Sequence, residues 1–82
     1  MAPPGLIIRP FLSAFAKQLR AARLHADLSQ DELAKRAKMT RQGLDKIEKG
    51  DNCTLGSIIL LADALDCQVS DFFPRKSPWD GG

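Results

Sequence analysis

The chain has 82 residues, 12 Lys/Arg against 10 Asp/Glu and 44% hydrophobic side chains, which makes it one small domain of formal charge +2. A chain this short buries only roughly 60% of its unfolded surface, enough for one helical core and too little for a large catalytic cavity. Two cysteines, Cys53 and Cys67, and one histidine, His25, exclude a disulfide framework and a complete metal site, and they fit a reduced, cytoplasmic setting.

The opening MAPPGLIIRP has no basic n-region and a single apolar triplet, so it reads as neither signal peptide nor membrane anchor. Residues 1–9 are rich in Pro and Gly and read as irregular, with Pro10 in the first turn of a helix. Residues 1–10 are thus an N-terminal extension, 11–74 the folded domain and 75–82 a flexible tail. Leu12, Phe15, Leu19 and Ala22 recur at helical spacing and predict a first helix over about 11–25. Ser29-Gln-Asp-Glu32 is a capping-box pattern opening a second helix over about 29–37. Thr40 caps a third over about 40–48. Lys49-Gly50-Asp51-Asn52 reads as a C-cap and loop. Thr54 caps a fourth helix, whose Leu55, Ile58, Ile59, Ala62 and Leu65 are expected to face the core, with Leu60 and Leu61 off that stripe. Ser70-Asp71-Phe72-Phe73 begins a short fifth helix stopped by Pro74. No strand pattern and no internal repeat appears.

The second and third helices carry the most information. Leu28, Leu33, Ala34, Ala37, Met39, Leu44 and Ile47 can turn to one side, leaving Arg41, Gln42, Asp45 and Lys46 on the other. A polar, basic helix braced by its predecessor through a tight turn is a layout for entering the major groove of DNA. Residues 1–50 hold ten Lys/Arg and five Asp/Glu, a net of +5, whereas residues 51–82 hold two and five, a net of −3. The basic half coincides with the helix pair, as a phosphate-binding footprint would. Ordinary solvated helix faces would give the same count.

LRAARLHADLSQDELAKRAKMTRQGLDKIEKG followed by TLGSIILLADALDCQVSDFF resembles the Cro/CI-type (xenobiotic-response-element) helix-turn-helix family over residues 12–73. The resemblance implies an all-α, five-helix, lambda-repressor-like domain that binds DNA, usually as a two-fold dimer, in bacteria, phages or archaea. It implies a phosphate contact for Gln30 and for Lys49 with the amides after it. It implies base reading by Arg41 and Gln42, since arginine suits guanine and glutamine suits adenine. Lys46 is a base or phosphate candidate. Thr40, Gly43 and Asp45 belong to the same DNA-facing set. Arg23 and Glu48 match a structural ion pair that sets the angle between helices.

Three departures stand out. Lys38 occupies the turn position where the family has glycine, so the turn is expected to form slightly differently and to place another charge near DNA. Gly43 within a helix costs up to about 1 kcal/mol against alanine; it either permits close approach to DNA or is simply tolerated. Asp66, also at a glycine position, tolerates a left-handed conformation better than most residues.

Other signals are weaker. His25 reads as a solvated residue at a helix end, Cys67 as core filler and Cys53 as a loop thiol open to solvent. Asp31, Glu32 and Asp45 have no nucleophile or metal constellation near them, so no enzyme, cofactor or metal is expected. The leading reading is a sequence-specific transcription regulator, either a small phage-type repressor or a restriction–modification controller. An 82-residue chain leaves no room for a sensing domain, which favours control through dimerisation. The homodimer is expected to pair through Leu65, Val69, Phe72 and Phe73, with Phe73 near the axis, one phenylalanine completing the core and the other spare. Leu6-Ile7-Ile8 is a second candidate surface. The alternative is an antitoxin whose main partner is a toxin, served by the LII segment or by the tail with Trp79.

Overall fold

A computed structural model describes the backbone of residues 4–73, with side chains from Pro10 onward. It contains four α-helices, α1 (Pro4–His25), α2 (Gln30–Arg36), α3 (Arg41–Glu48) and α4 (Leu55–Ala64), followed by a 3-10 turn over Val69–Phe72. The expected fifth helix is that single turn. No helix among the described residues is long and apolar enough to cross a membrane. Trp79 and the tail lie outside the described residues, as do the side chains of Leu6, Ile7 and Ile8.

The first helix is longer than the sequence suggested. It begins at Pro4, where a first-turn proline loses no bond, and it continues through Pro10 at the expense of one backbone hydrogen bond. Residues 4–9 are therefore helical, not irregular. The core forms where the helices meet. Phe15 and Leu19 from α1, Leu33 and Ala34 from α2, Leu44 and Ile47 from α3, and Leu61 and Ala62 from α4 are all buried, together with Leu28, Ala37 and Phe72. Helix α1 packs on α3 and on the 3-10 turn, while α2 packs on α3 and α4.

The phase of α4 differs from expectation. Leu61 is fully buried, whereas Leu55 and Ile59 are 67% and 50% exposed. The inward stripe is Ile58, Leu61, Ala62 and Leu65. Apolar residues occupy nearly every side of this helix, so two stripes of helical period fit the same letters. Packing against α2 selects one of them.

Each short helix starts on a side-chain cap. Ser29 Oγ accepts from the Glu32 N–H at 3.1 Å and Glu32 Oε1 from the Ser29 N–H at 3.0 Å, closing the capping box. The Ser29 N–H first, and the Ser29 side chain second, hold the Glu32 carboxyl below its ordinary pKa. Thr40 Oγ1 accepts from the Gly43 N–H at 3.0 Å and Thr54 Oγ1 from the Ser57 N–H at 3.1 Å.

All four helices end in the same way. The residue after the C-cap takes a left-handed conformation, at Asp27 (φ 60°), Lys38 (φ 58°), Gly50 (φ 95°) and Asp66 (φ 54°). The next N–H then reaches back to a carbonyl five residues earlier: Leu28 to Arg23 at 3.1 Å, Met39 to Ala34 at 2.9 Å, Asp51 to Lys46 at 3.1 Å and Cys67 to Ala62 at 3.0 Å. These are Schellman closures, and glycine supplies one of the four. Lys38 therefore adopts the glycine geometry instead of an altered turn. The reason lies one residue on: Leu28, Met39 and Cys67 each follow a left-handed residue and pack on the core. Burying that apolar side chain outweighs the strain before it.

Left-handed backbone costs a non-glycine residue about 1–2 kcal/mol, and glycine's extra unfolded-state freedom offsets part of any relief. Lys38→Gly is therefore expected to stabilise the domain by about 0.5–1 kcal/mol. An unchanged or lowered urea midpoint would show that Lys38 is not strained.

Candidate nucleic-acid interface

Helix α3 divides cleanly. Leu44 and Ile47 enter the core, while Arg41, Gln42, Lys46 and Lys49 are exposed and Asp45 is half-buried. The outward residues recur at i, i+1, i+4, i+5 and i+8, which is one helical face. Eight residues make a rod about 12 Å long, and a helix about 10–12 Å across with its side chains fits the width of the major groove.

Arg23 fixes that rod in place. Its side chain is only 10% exposed, and that of Glu48 only 5%. Nε lies 2.7 Å from Glu48 Oε2, and Nη2 donates to Oε1 at 3.1 Å. Nη1 donates to the Leu28 carbonyl at 2.9 Å. One guanidinium thus joins the end of α1, the connection to α2 and the end of α3.

The bonds continue outward. Gln30 Nε2 donates to Glu48 Oε1 at 3.3 Å and to Asp45 Oδ1 at 3.2 Å. Asp45 Oδ2 in turn pairs with Lys49 Nζ at 2.8 Å. The Asp45 carboxyl is held below its ordinary pKa by the Lys49 bond first and by Gln30 second. The Lys49 ammonium is pushed up by the same partner. Arg41 approaches Asp31 at 3.9 Å with both side chains about two-thirds exposed, a contact of little energetic weight. Among the described residues, the side chains of Gln42 and Lys46 make no hydrogen bond or ion pair. Arg20, Gln30, Asp31, Arg41, Asp45 and Lys49 border one concavity between α1 and the α2–α3 unit.

A profile of the helix-turn-helix family HTH_3 matches residues 19–72. The chain belongs to this helix-turn-helix family. It is 37% identical over 68 residues to an uncharacterized HTH-type transcriptional regulator of Rickettsia conorii, covering 82% of this chain and 54% of that protein. The chain thus spans about half the length of the curated relatives it matches. Among solved structures it is similar to the restriction-modification controller protein C.AhdI of Aeromonas hydrophila, with 35% identity, a TM-score of 0.74, and coverage of 76% of this chain and 96% of that one. It is also similar to an HTH_3 family transcriptional regulator of Vibrio cholerae, with 30% identity and a TM-score of 0.72, covering 76% of this chain and 35% of that one.

Some residues singled out in the sequence sit as expected in this helix-turn-helix domain and others do not. Gln30 is tethered between two carboxylates and is no simple surface residue. Thr40 spends its hydroxyl on the Gly43 N–H, and a Cβ at Gly43 would stand 3.1 Å from that hydroxyl. Glycine therefore leaves room for the cap, a reason independent of any ligand. Lys38 projects from the turn itself and is exposed. Arg20 was not singled out in the sequence; its place three residues before Arg23, on the same side of α1, is the signal that could have found it. Phe72 is 1% exposed and cannot offer its ring to a partner. Phe73 is half-buried: it stacks on Phe15 at 5.7 Å and meets Phe11 edge-on at 6.3 Å. Leu65 and Val69 are half-buried against the core. Cys53 is likewise half-buried, and burial pushes both its thiol and that of Cys67 up in pKa. Among the described residues no cluster of His, Cys, Asp and Glu is placed to hold a metal ion.

Removing one member of a buried ion pair leaves the other desolvated, at about 3–5 kcal/mol. Glu48→Ala and Arg23→Ala are each expected to lower the melting temperature steeply, and the double change to cost less than their sum. Additive single effects in thermal unfolding would show that the pair is not coupled.

Proposed function

We propose that the domain is a sequence-specific transcription regulator that inserts α3 into the major groove of a two-fold operator. The observation that carries this reading is the outward face of α3. It presents Arg41, Gln42 and Lys46 to solvent on a helix locked from behind by Arg23 and Glu48. Arg41 and Gln42, in the first turn, are the base-reading residues, with arginine matched to guanine and glutamine to adenine. Gln30 and Lys49 contact phosphates, and Lys46 serves either role. Thr40 and Gly43 shape the start of the helix, and Lys38 adds charge at the turn. The likeness to C.AhdI, over nearly the whole of that chain, favours a controller-type regulator.

A two-fold operator needs two copies of α3 about 34–36 Å apart, so we also propose a homodimer. The surface for it is the outward face of α4, where Leu55, Ile59 and Leu60 are exposed on adjacent turns. Exposed apolar side chains gathered on one face of a helix are suited to pairing with a second copy.

Selection of bound duplexes from a random pool, followed by footprinting, tests the DNA reading. Against the selected operator, Arg41→Ala is expected to lose about 1–3 kcal/mol and to relax preference at one base pair. Full affinity in both Arg41→Ala and Gln42→Ala would refute base reading by this helix. Sedimentation equilibrium without DNA tests the assembly. The wild type is expected to be a dimer at tens of micromolar and Ile59→Asp a monomer, and a dimer unshifted by Ile59→Asp would exclude the α4 face.

A further inference from the structure

The polar face of α3 carries one carboxylate, and both of its oxygens are engaged. Asp45 Oδ2 lies 2.8 Å from Lys49 Nζ, and Oδ1 accepts from Gln30 Nε2 at 3.2 Å. These are the two groups assigned above to the DNA backbone. A carboxylate and a phosphate present the same feature to an ammonium and an amide, namely anionic oxygens at hydrogen-bond distance. Asp45 borders the concavity that Arg20, Arg41 and Lys49 line together with the acids Asp31 and Glu48, so it sits among the cations of that surface. The Asp45–Lys49 pair is an exposed i,i+4 contact with Lys49 about 72% open to solvent. Such pairs are weak, and a well-placed phosphate can displace the carboxylate.

We propose that Asp45 is a specificity-determining residue that acts as an internal phosphate mimic, holding Lys49 and Gln30 until a correctly seated duplex displaces it. The inference rests on the DNA reading given above. Binding to unmatched DNA is driven by phosphate neutralisation and counterion release. A lysine already paired to a carboxylate contributes little to that drive. On a matched operator, base contacts by Arg41 and Gln42 hold α3 in place, and the phosphate then competes with Asp45 from a fixed position. Asp45 therefore penalises unmatched duplexes more than the operator.

The test compares wild type, Asp45→Asn, Lys49→Gln and the double variant on two probes, a duplex selected by the wild type and a scrambled duplex of the same length, across a salt series. Asparagine keeps the shape and removes the charge. Asp45→Asn is expected to bind the scrambled duplex on the order of five- to ten-fold more tightly near about 0.1 M salt, with a log–log salt slope steeper by about one. The operator should gain less, so the specificity ratio falls. The scrambled-duplex gain should largely vanish when the double variant is compared with Lys49→Gln. An unchanged scrambled-duplex affinity overturns the proposal. So does a gain undiminished in the double variant, since that is a general charge effect. A loss confined to one operator base pair overturns it as well, because Asp45 would then be reading a base. If operator binding is intact in these cases, the DNA reading survives; if the wild type selects no duplex from a random pool, that reading fails and the inference with it.

Discussion

The arrangement of this domain depends on one guanidinium. Arg23 uses three nitrogens on two acceptors, the Glu48 carboxylate and the Leu28 carbonyl. A lysine could not do this, because a single ammonium lacks the fixed fork that reaches both at once. A buried ion pair is not a rich source of net stability, since desolvation consumes much of the attraction. Its value is geometric. The unmet charge that any other helix arrangement would leave excludes those arrangements, so the end of α3 is held against the end of α1 at one angle. The core residues Leu44 and Ile47 fix how deep α3 sits, and Arg23 fixes how it points.

Such bracing is needed because the elements are short. Helices α2, α3 and α4 have 7, 8 and 10 residues, below the length of about 12–15 at which isolated helices become even marginal in water. Each opens on a hydroxyl cap and closes on a left-handed residue. The closures also steer the chain, because each reversal delivers the next segment toward the core. At Leu28, Met39 and Cys67 the residue after the reversal is itself a core contact. Connections of four to six residues then suffice, and α2 packs directly on α3.

Much of this was legible in the letters, and the failures share a cause. Ser29, Thr40 and Thr54 announce their helices because a cap is a local device, complete within four residues. The apolar side of α2 and α3 was legible because polar residues mark its opposite face. Helix α4 has no such mark, so its phase is set by what it packs against, which no local pattern contains. The extension of α1 back to Pro4 was hidden by prolines and a glycine that read as breakers. The left-handed Lys38 was hidden because its cause is the burial of Met39. The place of Phe73 was hidden because Phe11 and Phe15 lie far from it in the chain. The bonds of Gln30 to Asp45 and Glu48 span 15 and 18 residues, and the spacing of letters gives no hint of them.

The same point bears on charge. A net of +5 over residues 1–50 suggests a strongly attractive surface. The three-dimensional pairing tells a different story: Arg23 is committed to Glu48, Lys49 to Asp45, and Arg41 leans toward Asp31. Fields from exposed charges fade within about 8 Å at physiological salt, so a cation with an anion at its side adds little reach. What stands unpaired on the outward face of α3 is Lys46 and the neutral Gln42. A surface of this composition is poorly suited to gripping any polyanion from a distance. It is better suited to close contact, where bond geometry decides and where acids at the rim turn away a duplex that does not fit.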